Sequence, residues 1–266
     1  MNQMRIVITG SSRGLGLALA REFLAKGCAV VVSGSTRDST ERALGLLRAE
    51  FPGAPLAGGA CDVREIREVD ALWGLARETF GGVDHWINNA GVSQPMQRIW
   101  EIEPAVVEDV VRTDLLGVFH GVRVAMRGMV EQGSGTIWLM EGHGSDGRIM
   151  KGLSVYGTAK RAVRYLAAAL AVEAEGTGVR IGTLSPGIMI TDFTMGRIDR
   201  SNADAWERTK RVFNILADKP ETVATFLVPR ILASDKGRAH IAWLTQAKIL
   251  RRFLSAPFVK RQVIEE

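Results

Sequence analysis

The stretch Arg5-Ile6-Val7-Ile8-Thr9-Gly10-Ser11-Ser12-Arg13-Gly14-Leu15-Gly16 starts as a short β-branched run, ends in glycines and leads straight into the helix-period segment Leu15 to Lys26. Each glycine has a physical task in such a strand–turn–helix unit. Gly10 permits the turn, Gly14 lets backbone N–H groups approach a pyrophosphate, and Gly16 lets helix and strand pack closely. The positive end of the helix dipole then faces the phosphate, with Ser12, Arg13 and Leu15 in the same turn. Placed after the first strand of a βαβ unit, the turn predicts nucleotide binding.

The same alternation runs outward from this unit. Residues 5–9, 29–33, 54–60, 83–88, 135–140 and 179–184 read as strands, with a weaker one at 239–244. Between them 15–26, 39–50, 65–80, 104–131 and 154–175 read as helices. Strands that are apolar on both faces and separated by helices imply a parallel sheet covered on both sides, an α/β doubly wound architecture. No repeat or low-complexity linker interrupts the chain, so residues 1–266 read as a single domain.

Composition excludes several classes. The 266 residues include 34 Lys+Arg against 29 Asp+Glu, two Cys and 29 Gly, ordinary globular proportions that leave no room for a disordered, collagenous or disulfide-framework reading. Cys28 and Cys61 lie in apolar stretches and read as buried thiols of a reducing compartment. The net charge of +5 is local, because 236–261 holds seven Lys/Arg and no acid, so it gives no footprint for nucleic acid. Within 245–266, a basic and apolar extension, Ile249, Leu250, Phe253, Leu254, Phe258 and Val259 alternate with Lys248, Arg251, Arg252, Lys260 and Arg261. With Trp243, they either pack on the body or touch a membrane surface. No segment is long and apolar enough to span a bilayer, and Met1 to Arg5 runs into the first strand without a leader-like segment. The expectation is a bacterial cytoplasmic protein, soluble or peripherally membrane-associated.

Two further patterns carry chemistry. The second strand ends Ser33-Gly34-Ser35-Thr36-Arg37 and lacks the carboxylate that would bind an adenine ribose 2′-hydroxyl. Ser35, Arg37 and Arg13 instead offer hydrogen bonds and charge to a 2′-phosphate, which predicts NADPH/NADP as cofactor. Asn88-Asn89-Ala90-Gly91 follows the fourth strand, and Tyr156-Gly157-Thr158-Ala159-Lys160 lies within a helix. Tyr and Lys at i, i+4 share a helix face, so an ammonium beside the phenol suits it to give a proton to a carbonyl that accepts hydride.

With these four motifs in order, the chain resembles a short-chain dehydrogenase/reductase over essentially its whole length. The resemblance implies a Rossmann fold in which Gly10 to Gly16 hold the pyrophosphate, Asp62 and Val63 the adenine end, and Asn89, Ala90 and Gly91 the floor beneath the dinucleotide. It makes Tyr156 the proton donor and Lys160 the residue that holds the nicotinamide ribose. Pro186, Gly187 and Thr191 would fix the carboxamide. The family's carbonyl-orienting Ser is missing: thirteen residues before Tyr156 stands His143, after Glu141 and Gly142. The family's Asn in the central helix corresponds to Asp114, whose main-chain carbonyl could still hold a relay water.

Glu141 to Arg148, Tyr156 to Arg161, Leu184 to Gly187 with Thr191-Asp192, Phe213 to Ala217, Val228-Pro229 and Glu265-Glu266 are similar to chlorophyll b reductases, a subgroup that also lacks that Ser. The implied reaction is NADPH-dependent reduction of the 7-formyl group of chlorophyll b or chlorophyllide b to 7-hydroxymethyl. In that reading Ser145 replaces the missing donor, with His143 second. Glu141, His143, Phe193 and Met195 contact the tetrapyrrole, and residues 191–217 with Ile198, Trp206, Phe213 and Leu216 form a lid. The alternatives are a generic NADPH-dependent reductase of a lipid, steroid or polyketide carbonyl, and a catalytically silent NADPH-binding protein. No metal site is expected, His143 lacking a partner at ligand spacing. His85, His120 and His240 read as structural. A homodimer or homotetramer through 104–131 and 154–175 is what the family implies.

Overall fold

Alternate residues of the first strand enter opposite cores: Ile6 and Ile8 pack on one face of a sheet and Val7 on the other. The same holds in its neighbours, which is why these strands are apolar throughout. In this computed structural model, which describes residues 3–196, 203–235, 237–259 and 261–264, seven strands form one parallel sheet of order β3-β2-β1-β4-β5-β6-β7. They are β1 Arg5–Ile8, β2 Ala29–Gly34, β3 Leu56–Ala60, β4 His85–Asn88, β5 Gly135–Met140, β6 Val179–Ser185 and β7 Arg238–Ala242. All seven predicted strands are present, and the doubly wound fold is as read from the sequence.

Helices α1 Gly14–Ala25 and α2 Arg37–Glu50 cover one face, joined by α9 Pro220–Leu232. The other face carries α3 Ile66–Phe80, α5 Gly117–Gln132 and α6 Ser154–Glu173. The predicted helix 104–131 is present but interrupted. α4 Pro104–Val111 passes through a π turn, Arg112–Leu116, before continuing as α5. A short α7, Asp192–Met195, and α8 Ala203–Leu216 follow β6, and α10 Gln246–Ser255 follows β7. Ile198, Lys236, Lys260, Glu265 and Glu266, named above, lie outside the described residues, as do the side chains of 203–205.

Both cysteines are free and buried, and burial pushes the Cys28 thiol up to about 11 and that of Cys61 up to about 12. Among the described residues no helix is long and apolar enough to cross a membrane. The chain order reverses between β1 and β4, and open parallel sheets leave a crevice at such a point beyond the carboxyl ends of the strands.

Candidate active site

The turn after β1 and the end of β4 are tied into one unit. Thr9 Oγ1 accepts from the N–H groups of Asn89 and Ala90 at 3.0 and 3.1 Å, and Asn89 Nδ2 donates to the carbonyls of Thr9 and Gly10 at 2.9 Å each. That knot demands glycine at position 10, where φ is +62° and a Cβ would meet Ala90 Cα at 2.7 Å. Gly14 also has positive φ, +56°, but a Cβ there would meet only Thr191 Cγ2, at 3.8 Å. The backbone at the N-terminus of α1 is therefore open toward a cleft.

That cleft encloses about 1320 Å³. Of the residues assigned to the cofactor, Gly10, Ser12, Arg13, Gly14, Leu15, Gly16, Ser35, Asp62, Val63, Asn89, Ala90, Gly91, Tyr156, Lys160, Pro186, Gly187 and Thr191 border it. Arg37 does not. It begins α2 with its side chain exposed, so of the two arginines expected at a 2′-phosphate only Arg13 stands at the cleft. Asp62 carries an unforeseen partner: Arg64 donates to its carboxylate from Nε at 2.9 Å and Nη2 at 2.6 Å. This pair holds the Asp62 carboxyl below the usual carboxylate range. Arg64 Nη1 also reaches Asp109 Oδ1 at 2.9 Å, bridging Asp62 to α4.

Tyr156 and Lys160 lie one turn apart near the start of α6, both buried, with Lys160 Nζ 5.5 Å from the Tyr156 ring centre. The start of α6 is fixed by Gln94, whose Oε1 accepts the Tyr156 N–H at 2.6 Å and whose Nε2 donates to the Gly152 carbonyl at 2.9 Å. Asp114 sits on the π turn with no exposed surface, its Oδ2 3.1 Å from Lys160 Nζ and its Oδ1 accepting the Val92 N–H at 2.7 Å. A main-chain role was expected for this residue. Its side chain joins the ammonium to the loop after β4, and π turns recur where a helix must aim a functional group.

Gly142 is the residue that counting along the sequence missed. Its Cβ, if it had one, would lie 3.0 Å from Tyr156 Cζ and 3.1 Å from Lys160 Cγ, and closer still to the Tyr156 hydroxyl. The position turned to the phenol is thus Gly142, one residue before His143. The assignment of Ser145 as substitute donor is corrected by the geometry. Its hydroxyl accepts from the Gly142 N–H at 3.0 Å, donates to the Lys160 carbonyl at 3.2 Å, and does not border the cleft. Ser145 holds the loop against α6.

Glu141, His143, Phe193 and Met195 all border the cleft. The Glu141 carboxylate is paired through Oε2 with Arg164 of α6 at 3.3 Å, while its buried Oε1 makes no hydrogen bond among the described residues and lies 3.7 Å from His240 Nδ1 of β7. Phe193 meets the Tyr156 ring edge-on at 5.9 Å between centres. Trp206 borders the same space, whereas Phe213 and Leu216 do not. Val263 and Ile264 reach it from the far end of the chain, a placement without any local signal. Among the described residues no three His, Cys, Asp or Glu side chains are grouped to hold a metal. His85 accepts from Trp138 Nε1 at 3.1 Å in the core, and His120 Nδ1 lies 2.9 Å from the Val63 carbonyl.

The family model for short-chain dehydrogenases matches residues 4–202. A probable chlorophyll(ide) b reductase of Arabidopsis thaliana is 34% identical in an alignment that covers 92% of this chain and 51% of that protein. The chain therefore spans about half the length of that relative. A chlorophyll(ide) b reductase of Oryza sativa subsp. japonica is 35% identical in an alignment that covers 94% of this chain and 74% of the rice protein. An actinorhodin polyketide ketoreductase solved with NADPH superposes with a TM-score of 0.78 at 26% identity, covering 90% of this chain and 96% of that one. Both plant relatives are described as chloroplastic, which overturns the expected bacterial cytoplasm.

Proposed function

The chain belongs to the short-chain dehydrogenase family, which makes it a nicotinamide-dependent oxidoreductase, and from that premise we propose that it reduces the 7-formyl group of chlorophyll b or chlorophyllide b with NADPH. The observation that carries the catalytic part is the buried row Tyr156, Lys160, Asp114, whose first two members border the cleft. What supports the pigment is the likeness to the two plant reductases.

The residues fit a dinucleotide: the N-terminus of α1 is open at Gly14, and Arg13 stands beside it with no carboxylate on 33–36 to repel a 2′-phosphate. When bound, NADPH supplies the hydride. Tyr156 donates its hydroxyl proton to the carbonyl oxygen as negative charge develops there. Lys160 places its ammonium beside the phenol, where it would hold the nicotinamide ribose. Asp114 fixes that ammonium and, through Val92, the floor of the cleft. Phe193, Met195 and Trp206 form the apolar wall for a flat macrocycle. Assembly as a homodimer or homotetramer is part of the same reading, through α5 and α6, where Phe119, Tyr165 and Val172 are exposed. So is peripheral membrane contact through Leu250, Leu254 and Phe258, all exposed on and beyond α10.

The test is an absorption time course with NADPH and chlorophyll b or its phytol-free form, run beside Tyr156→Phe. Loss of the formyl Soret band with the wild type alone supports the assignment. An unchanged spectrum, with NADPH binding shown and the pigment soluble, refutes it in favour of a reductase of other carbonyls or a silent binding protein.

A further inference from the structure

Asp218, buried between α8 and α9, gathers three side chains from the end of the chain. Trp243 Nε1 donates to its Oδ2 at 2.7 Å, Arg252 donates to Oδ2 at 2.8 Å and Oδ1 at 3.0 Å, and Arg261 Nη2 donates to Oδ1 at 2.6 Å. The same arginines cap the last carbonyls of α8: Arg252 Nη1 donates to Leu216 O at 2.8 Å, Arg261 Nη2 to Ala217 O at 2.9 Å and Arg261 Nη1 to Ile215 O. Two guanidinium charges thus meet one carboxylate and the negative end of a helix dipole, while carbonyls that a helix terminus leaves open are satisfied. Asp218 is also bonded through its backbone to the segment after β6: its N–H donates to Ile188 O at 3.0 Å and its carbonyl accepts the Ile190 N–H at 3.1 Å.

Beyond Arg261 the chain crosses α8. Asn214 Oδ1 accepts the N–H groups of Val263 and Ile264 at 2.9 and 3.1 Å, and both residues border the cleft that Phe193, Met195 and Trp206 also line. We propose that Val263 and Ile264 are substrate-contacting residues, an apolar strap latched onto α8 by Arg261 and Asp218, and that the strap sets which bulky carbonyl compounds the cleft accepts. The class of ligand is a large apolar carbonyl compound, and only its identity as a formyl pigment rests on the reading above. Arg261 is a positioning residue.

The experiment compares wild type with Val263→Ser/Ile264→Ser, Arg261→Met and Arg261→Lys in the full chain. One readout is the ratio of kcat/KM for chlorophyllide b to that for benzaldehyde, and the other is amide hydrogen exchange over 206–216. The strap predicts that the serine pair lowers the ratio about tenfold, through a raised KM for the bulky substrate. Arg261→Met does the same and speeds exchange in α8, and Arg261→Lys restores part of both. An unchanged ratio in the serine pair overturns the proposal, as does loss of the ratio through kcat alone. If wild type reduces no formyl pigment, the assigned pigment fails while the strap is judged on the same ratio taken with trans-1-decalone as the bulky substrate.

Discussion

Replacing Gly142 with Ala puts one methyl group into the space between the end of β5 and Tyr156. The added carbon would lie 3.0 Å from Tyr156 Cζ and 3.1 Å from Lys160 Cγ, where unbonded carbons rest at roughly 3.5–4.0 Å. The ring must therefore retreat by about 0.5–1 Å from its place at the cleft. Misplacing a reacting group by about 1 Å costs up to about a hundredfold in rate. Forcing a methyl into a filled site costs about 1–3 kcal/mol of stability. The expected result for Gly142→Ala is a kcat reduced ten- to hundredfold, on the order set by that misplacement, with near-normal NADPH affinity and a lowered urea midpoint. The stability cost should shrink when Tyr156 is already Phe, because the closest atom is then absent, giving a coupling of about 1 kcal/mol in the double-mutant cycle. Gly45→Ala is the control: nothing lies within 4 Å of a Cβ there, in the exposed middle of α2, and the change should stabilise by about 0.5–1 kcal/mol. Gly142→Ala with wild-type kcat and stability would refute the placement of Gly142 against Tyr156.

Asp114→Ala removes the counter-charge of a buried ammonium and should cost about 3 kcal/mol in urea unfolding, with Asp114→Asn costing less because the Val92 bond can persist. Arg13→Glu should raise KM for NADPH tenfold or more, on the order of one charge-assisted hydrogen bond, and leave KM for NADH little changed in initial-rate assays. Burial lowers His85 from 6.5 to about 4, so the unfolded chain binds the extra proton first as pH falls. This contribution is present above about pH 6.5 and is lost between about pH 6.5 and 4, amounting to about 3 kcal/mol. Urea midpoints across that window should fall less steeply for His85→Gln.

The sheet is legible because most of its strands are short apolar runs bounded by turns, β7 with its exposed Arg238 and His240 being the weakest, and the turn after β1 is legible because glycine spacing is local. α9 was not recognised: Pro220 begins it, where a missing N–H costs nothing, and Pro229 lies in its final turns and reads as a break. The residue facing the phenol was misplaced by one, since spacing along an irregular loop such as 141–153 carries no periodicity to fix which side chain points inward. Ser145 was chosen for its hydroxyl, yet whether a hydroxyl serves a substrate or a backbone carbonyl depends on neighbours fifteen residues away. Arg252 and Arg261 read as part of a basic surface. Their partner, Asp218, lies 34 and 43 residues earlier, and no local pattern connects them.

The π turn at Arg112–Leu116 has a mechanical consequence for the whole helical rod from Pro104 to Gln132. One additional residue in a helix advances everything after it by about 100° of rotation. The half that carries Val110 into the core and the half that displays Phe119 and Val130 are therefore clocked independently. Excising one residue from that turn would leave helix content almost untouched in a circular dichroism spectrum, yet would spin one half against the other and throw Asp114 out of reach of Lys160. The rod works as two gears keyed on a single shaft, and the key is one amino acid wide.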